Sequence, residues 1–205
     1  MEVKRNYQKE LEKQIEKQRR EEKIYTLLLH SCCAPCSSYV LEYLKAEFAI
    51  TVYYYNPNIW PEEEYHKRVE EQKRLIGRMN RELPGHKISF LEGVYDPERF
   101  YRMAAGRETL AEGGERCFGC YALRLSEAAK RAKEGAFDFF TTTLTISPLK
   151  SAAKLNEVGE AAAKKEGVIW LPSDFKKRDG YRRSVLLSRT YGLYRQNYCG
   201  CEFSR

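Results

Sequence analysis

Residues 23–31 read KIYTLLLHS, and residues 32–38 continue directly as CCAPCSS. The first stretch is a short apolar run with a polar exit, as expected for a strand buried in a parallel sheet. Residues 38–47, SYVLEYLKAE, follow with the apolar spacing of a helix. A buried strand, a turn and a helix in this order predict the opening unit of an α/β fold.

Strand and helix signals alternate along the rest of the chain. The predicted strands are residues 23–31, 48–58, 86–98, 136–151 and 167–175. The predicted helices are residues 3–22, 38–47, 61–83, 124–135 and 153–167, with a further helix opening residues 182–204. Alternating strands and helices build right-handed βαβ units, so the sequence predicts a doubly wound, mostly parallel sheet of about five strands and a cysteine-rich C-terminal segment.

The composition fits a single domain. The chain has 205 residues, 42% of them hydrophobic and 32% charged, so residues 23–205 are long enough to bury one sizeable core. Residues 1–22 are charged throughout, and we expect a solvated helical extension there. They also lack the apolar core of a signal peptide, and no apolar run approaches the roughly 18 residues of a membrane span. We therefore expect a cytoplasmic protein without a membrane partner.

The cysteines fall into three groups along the sequence. The groups are Cys32, Cys33 and Cys36; Cys117 and Cys120; and Cys199 and Cys201. An odd number of thiols in a reducing compartment does not suit a disulfide framework, which favours metal binding or redox chemistry. Ligands of open α/β sheets bind at the carboxyl ends of the strands, and the first group directly follows a predicted strand.

Thiolates in C-x-x-C spacing hold zinc or an iron–sulfur cluster. A structural zinc needs only four ligands, whereas the chain offers seven thiols, so a cluster is favoured. The remaining thiols are then available for a second metal, a redox disulfide or a substrate contact. For Cys199 and Cys201, three interpretations stay open: a redox pair, further metal ligands, or a docked tail.

The chain also carries an ordered series of longer motifs. They are LLHSCCAPCSS, YNPNIWPEEEYHKR, EGVYDPERF, EGGERCFGCYALRL, TTTLTISPLKS, DFKKRDGY and YGLYRQNYCGCEFS. From about residue 24 to residue 204, this series resembles the cobalamin-independent epoxyqueuosine reductase family QueH. The resemblance implies a HUP-like fold related to PP-loop enzymes, a [4Fe-4S] cluster with an additional mononuclear iron, and reduction of epoxyqueuosine to queuosine at the wobble position of tRNA. It also implies an electron donor of the ferredoxin or flavodoxin type.

Removal of an epoxide oxygen to leave an alkene takes two electrons, two protons and a destination for the oxygen. A Lewis-acidic iron can receive the oxygen, and such an iron calls for a carboxylate beside its thiolate ligands. Asp96, after the third strand, is the first candidate, and Asp174, after the fifth, is the second. Asp138 begins a strand, so we expect it at the opposite edge of the sheet.

The remaining metal and catalytic candidates lie beside the first strand and in the second cysteine group. The expected thiol ligands are Cys32, Cys33, Cys36, Cys117 and Cys120. Cys33 and His30 join Asp96 as catalytic candidates, because a histidine beside thiols can donate a proton or a hydrogen bond to sulfur. The alternative for His30 is a core histidine with satisfied hydrogen bonds.

A formal net charge of +7 favours a polyanionic partner. The predicted tRNA-binding residues are Lys176, Lys177, Arg178, Arg182 and Arg183 for phosphates, Tyr55 for base stacking, and Arg195 for base edges or a ligand carboxylate. Two other functions are open, an iron–sulfur PP-loop-like tRNA sulfur transferase and a zinc-stabilised RNA-binding module. The transferase needs an SGGxDS-type phosphate loop, whose glycines SCCAPCSS lacks.

Overall fold

The structure is a computed structural model that describes residues 5–204. The first four residues of the predicted N-terminal extension lie outside the described residues. The helices are α1 (Tyr7–Arg20), α2 (Ala34–Leu44), α3 (Glu62–Glu82), α4 (Pro97–Ala104), α5 (Glu115–Glu134), α6 (Ala152–Glu166) and α7 (Gly180–Thr190). The strands are β1 (Tyr25–His30), β2 (Phe48–Tyr54), β3 (Ser89–Glu92) and β4 (Phe139–Thr142). Short 3-10 turns occupy Thr143–Ile146 and Glu202–Ser204.

The four strands form one parallel sheet in the order β3-β2-β1-β4. The chain runs outward from β1 through β2 to β3, and then returns to place β4 on the other side of β1. The carboxyl ends of β1 and β4 therefore flank the topological switch point, where open α/β sheets bind their ligands. The predicted α/β class and parallel sheet are confirmed.

The predicted fifth strand, residues 167–175, is reduced to a single bridge between Trp170 and Phe140. Phe140 donates to the carbonyl of Ile169, and Leu171 donates to the carbonyl of Phe140. Pro172 follows at once and has no N–H with which to extend the ladder. The sheet consequently has four strands among the described residues.

The sheet lies between two layers of helices, and alternate residues of β1 face opposite layers. Leu27 and Leu29 pack in one cluster with α1, α2, α3 and α7, whereas Leu28 packs in the other with α5 and α6. All three leucines are fully buried, and such burial contributes roughly 1.5–3 kcal/mol per side chain. This burial on both faces explains why β1 is a continuous apolar run.

Helix α1 is docked onto the domain and is not fully solvated. Its N-terminus is capped by Asn6, whose side chain accepts a hydrogen bond from the backbone of Lys9. Leu11 and Ile15, one turn apart, are buried in the core cluster beneath α2. These two apolar residues, with hydrogen bonds from Gln8 to Tyr43 and from Gln18 to the carbonyl of Glu47, attach this charged segment to the domain.

Two helices begin earlier than the sequence predicts, and both changes move cysteines onto helices. Helix α2 starts at Ala34, with a proline in its first turn, and helix α5 starts at Glu115. Cys36 and Cys117 thus lie in the first turns of helices, and Cys120 lies in the second turn of α5. No helix within residues 5–204 is long and apolar enough to cross a bilayer.

Candidate metal centre and cavity

The first cysteine group converges at the carboxyl end of β1. Cys32 lies in the turn after the strand, Cys33 occupies the N-cap position of α2, and Cys36 lies in the first turn of that helix. Their sulfur atoms lie within 4.8 Å of one another, and those of Cys32 and Cys33 are 3.8 Å apart. Two thiolates on one tetrahedral metal are about 3.8 Å apart, given metal–sulfur bonds of about 2.3 Å. The three thiols, called the triad below, fit a shared metal.

Without a metal, the geometry of the triad stabilises one thiolate more than three adjacent thiolates. Hydrogen bonds from Cys33 and Cys36 to the Cys32 sulfur lower the pKa of Cys32 well below its usual range. The same coupling raises the pKa of Cys33 and of Cys36, because a second thiolate would lie against the first. The N-terminus of α2 adds a favourable field for negative charge. A metal cation would relieve this repulsion and hold all three sulfurs deprotonated.

The second and third cysteine groups of the sequence come together in the structure, and they are treated below as one second group of four cysteines. Cys117 and Cys120 lie on α5, and they line a small hollow together with Cys199 and Cys201 of the C-terminal segment. The backbone N–H of Gly113 donates to the Cys117 sulfur over 3.3 Å. All seven cysteines of the chain are free thiols. Four further thiols thus line one hollow, although within residues 5–204 only the triad brings three sulfur atoms within 4.8 Å of one another.

A cavity of about 480 Å³ lies above the triad. Its walls come from the turn after β1, the loop after β4, α7 and the C-terminal segment, and include Leu144, Ile146, Ser147, Pro148, Leu149, Lys150, Tyr181, Ser184, Arg195, Gln196, Asn197 and Tyr198. Cys199, Lys150 and Glu112 line both this cavity and the smaller hollow. The two cysteine groups therefore border one connected site.

The C-terminal segment is held over the site by α3. Nη1 of Arg68 donates to the carbonyl of Cys199 over 3.0 Å, and the carboxylate of Glu71 accepts from the backbone N–H of Tyr194 over 2.6 Å. Gly200 has a φ of +102°, and a Cβ there would lie 2.8 Å from the Arg68 guanidinium. Only glycine suits this close approach of backbone to side chain.

Three cationic residues of the site were missed in the sequence. Arg68 and Arg124 are 2% and 1% exposed, and Lys150 lines both the cavity and the hollow. Arg68 forms an ion pair with Glu64 at 2.7 Å and lines the cavity. Both arginines fall on the buried, apolar stripe of their helices, α3 and α5. A charged residue at a core position of a helix was the signal available in the sequence.

His30 is a core histidine with satisfied hydrogen bonds. Its Nδ1 lies 2.8 Å from the hydroxyl of Thr142, and its Nε2 lies 3.1 Å from the carbonyl oxygen of Tyr55. Burial, reinforced by the nearby Arg124 guanidinium, lowers the pKa of His30 to about 3. The imidazole is therefore neutral at pH 7, and it links the end of β1 to Thr142 of β4 and to the backbone of Tyr55.

The structure separates the candidate carboxylates. Asp96 is the N-cap residue of α4, Asp174 forms an ion pair with Lys176 at 3.2 Å, and neither lines the cavity or the hollow. Asp138 binds the backbone and hydroxyl of Thr26 at the opposite end of β1, as its place before β4 predicts. Glu112, which no motif singled out, is the carboxylate that lines both spaces.

Much of the predicted phosphate-binding run is neutralised within the chain. Lys176 pairs with Asp174 and donates to two backbone carbonyls, Arg178 pairs with Glu12 at 2.6 Å, and Arg183 pairs with Glu42 at 2.6 Å. Lys177 and Arg182 are exposed, and neither forms an ion pair with another described residue. Fewer of these basic side chains are therefore available to bind phosphate than the sequence indicates.

The prediction that Tyr55 stacks on a base needs correction. The side chain is 2% exposed, and its ring packs against Tyr53 in the core. The exposed aromatic at the site is Tyr181, which is 40% exposed and lines the cavity. Arg195 lies over the Tyr181 ring, with 5.4 Å between its guanidinium carbon and the ring centroid. Of the predicted RNA-binding residues, Arg195 lines the cavity.

A family model and several known proteins that resemble this chain all carry the same description. The model of the family "Epoxyqueuosine reductase QueH" matches residues 27–205. The chain is 45% identical to an epoxyqueuosine reductase QueH of Streptococcus pyogenes over 179 residues, which cover 87% of this chain and 70% of the relative. It is 42% identical to that of Staphylococcus aureus over 97% of this chain and 83% of the relative. For Thermotoga maritima the identity is 34%, over 87% of this chain and 90% of the relative. The chain belongs to the epoxyqueuosine reductase QueH family.

Proposed function

We propose that this protein reduces epoxyqueuosine in tRNA to queuosine by removing the epoxide oxygen. The observation that carries the proposal is the cavity at the switch point of the sheet, with the cysteine triad as its floor. The reaction consumes two electrons and two protons, and it releases the oxygen as water. Family membership supports the same activity.

The two cysteine groups are proposed to hold iron. Between them they offer seven thiols, enough for a [4Fe-4S] cluster and an additional mononuclear iron. When bound, such centres supply electrons one at a time and a Lewis acid for the epoxide oxygen. The carboxylate that completes the additional iron is proposed among Glu112, Asp96 and Asp174, and Glu112 is the one that lines the cavity.

The cavity walls bind the modified base and limit the access of water. Leu144 and Ile146 are buried and line the wall beside the triad. Residues 195–199 of the C-terminal segment also line the cavity. Lys150 borders both the cavity and the hollow, and the neighbouring thiols, above all Cys199, outweigh burial and raise its pKa. Its ammonium group stays protonated and can donate a hydrogen bond to a substrate oxygen.

The mouth of the cavity is suited to the anticodon loop. Leu149 is 71% exposed and Tyr181 is 40% exposed, which gives an apolar and aromatic surface beside the opening. Single-stranded bases stack on such surfaces, at about 1–3 kcal/mol per base. Arg195, above the Tyr181 ring, adds positive charge. The exposed side chains of Lys177 and Arg182 provide further contacts to the tRNA backbone.

The experiment is a reduction assay on anaerobically purified protein. The protein is incubated with tRNA that contains epoxyqueuosine and with a reduced ferredoxin or flavodoxin, and the tRNA nucleosides are then separated by mass. We expect conversion of epoxyqueuosine to queuosine, with iron in the protein. A colourless, zinc-containing protein that binds tRNA but converts nothing would instead indicate an RNA-binding module.

A further inference from the structure

Arg124 is a buried cation that contacts Cys120 and is linked through Asn56 to the residue before the triad. It lies on α5 one turn after Cys120, and only 1% of its surface is exposed. Its Nη1 donates to the Cys120 sulfur over 3.9 Å, and its Nη2 donates to the side-chain oxygen of Asn56. Asn56 in turn donates to the backbone carbonyl of Ser31, beside the triad. The guanidinium is thus fixed between α5 and the end of β1.

The position of Arg124 differs from those of the other buried arginines. Arg68 has the carboxylate of Glu64 at 2.7 Å. Arg116, two turns earlier on α5, donates to four backbone carbonyls. Within residues 5–204, Arg124 has no carboxylate at ion-pair distance. Arginine stays protonated when it is buried, so its charge needs a compensating anion.

The cysteines are the groups that can supply this anion. The Cys120 sulfur lies 3.9 Å from Nη1 of Arg124, and Cys120 lines the hollow together with Cys199. On its other side, the guanidinium is joined through Asn56 to the carbonyl of Ser31, the residue before Cys32. The charge of Arg124 therefore lies beside a sulfur of the hollow and close to the triad.

We infer that Arg124 is the fixed counter-cation of the metal centre and stabilises its reduced form. The inference rests on the proposed function, since it takes the cysteines to hold a redox-active iron centre. Thiolate ligands give such a centre a net negative charge, and each electron accepted from a ferredoxin-type or flavodoxin-type carrier adds one more. A buried cation beside the ligands favours the more negative state and raises the reduction potential. Arg124 is accordingly a positioning and tuning residue.

The test compares three variants by iron content and by reduction potential. Arg124→Gln removes the charge, and Arg124→Lys keeps it. Arg131→Gln removes a charge two turns further along α5, where Arg131 is 41% exposed and pairs with Glu134. The potential is measured by titration with dithionite and redox mediators in the absence of tRNA. Wild-type protein is assayed in parallel for iron content and for turnover.

We expect a lower reduction potential for Arg124→Gln, a smaller change for Arg124→Lys and the wild-type value for Arg131→Gln. If Arg124→Gln fails to retain iron, retention by Arg124→Lys supports the role of the charge, and equal loss in both variants overturns it. An unchanged potential in an iron-replete Arg124→Gln also overturns it. A wild-type protein without redox-active iron would instead refute the proposed function.

Discussion

Arg68 on α3 donates a hydrogen bond to the backbone carbonyl of Cys199, and its guanidinium packs against Gly200. The contact joins the wall of the cavity to the segment that closes it. Trp60 strengthens the same connection, because its backbone N–H donates to the carbonyl of Gly200 over 2.9 Å. The C-terminal cysteines thus owe their position to α3 and the turn before it.

Replacing Gly200 by alanine tests this attachment. The backbone there has a φ of +102°, and an added Cβ would meet Arg68 at 2.8 Å. Strain of this kind costs about 1–3 kcal/mol. We expect Gly200→Ala to release the segment, to lower iron content and to reduce turnover. Gly192→Ala has a positive φ but no atom within 4 Å of the new Cβ, so it controls for backbone strain alone. Equal iron in Gly200→Ala and wild type would contradict the attachment.

Removal of the free basic residues should weaken tRNA binding more than removal of the paired ones. Lys177→Gln with Arg182→Gln takes away charges that are exposed and without an ion pair to any described residue. Arg178→Gln with Arg183→Gln removes charges already neutralised by Glu12 and Glu42. Each lost phosphate contact should lower the slope of log affinity against log salt by roughly 0.7–0.9.

The measurement is a filter-binding or anisotropy titration at several salt concentrations. Iron content serves as the control, because none of the four residues lies at the cysteine groups. Equal effects of the two double variants would show that the ion pairs do not limit RNA binding.

Acid should loosen the C-terminal segment through Glu71. A hydrogen bond from Arg74, assisted by the backbone N–H of Tyr194, lowers the pKa of Glu71 below its ordinary 4.5. A lowered folded-state pKa means that the stabilisation is present above pH 4.5 and is lost as pH falls through the folded-state value. Glu71→Gln should therefore remove part of the acid sensitivity of this segment.

Hydrogen exchange of residues 191–199 between pH 6 and pH 3.5 measures this effect. The control is Glu70→Gln, since Glu70 is 72% exposed and pairs only with Lys73 among the described residues. We expect protection to fall more steeply with acid in wild type and Glu70→Gln than in Glu71→Gln. Identical profiles for all three proteins would remove Glu71 from the explanation.

The candidate carboxylates can be separated by neutral variants of similar shape. Glu112→Gln, Asp96→Asn and Asp174→Asn each keep a side-chain oxygen but remove an anionic ligand. Because Glu112 lines both the cavity and the hollow, we expect its variant to lose part of the iron and most of the turnover while tRNA still binds. The measurement is iron per protein together with the reduction assay. Loss of iron in Asp96→Asn alone would assign the ligand to that residue instead.

The sequence predicted the parts of the molecule that depend on local pattern. The apolar run of β1 requires burial on both faces, and the cysteines after it had to lie at the ligand-binding edge of a parallel sheet. The fifth strand is shorter than predicted, a single bridge at Trp170, because Pro172 ends the ladder, which the apolar pattern before it does not reveal. The starts of α2 and α5 were placed too late, since cysteines and glycines are weak helix signals.

The contents of the site depended on tertiary contacts that no local pattern contains. The ion pair of Arg178 with Glu12 joins two remote parts of the chain, so the basic run could not be recognised as neutralised. Tyr55 follows a strand and is an ordinary stacking candidate until the packing of α5 buries it. The burial of Arg124 was also missed, because the predicted helix began at residue 124 and did not show that this arginine lies on the apolar stripe of α5.

The positions of the cysteines along the sequence indicate the order in which the two cysteine groups form during folding. The triad is local in sequence and needs only β1 and α2. The hollow, in contrast, joins residues 117 and 120 to residues 199 and 201, and contacts of such long sequence separation form late. A chain that has formed the triad but not yet the hollow exposes clustered thiols to solvent. Exposed thiols of this kind are readily oxidised. If the two cysteine groups hold iron as proposed, iron loading is completed only after residues 191–204 have docked. We then expect slow docking of these residues to increase the share of oxidised, inactive protein.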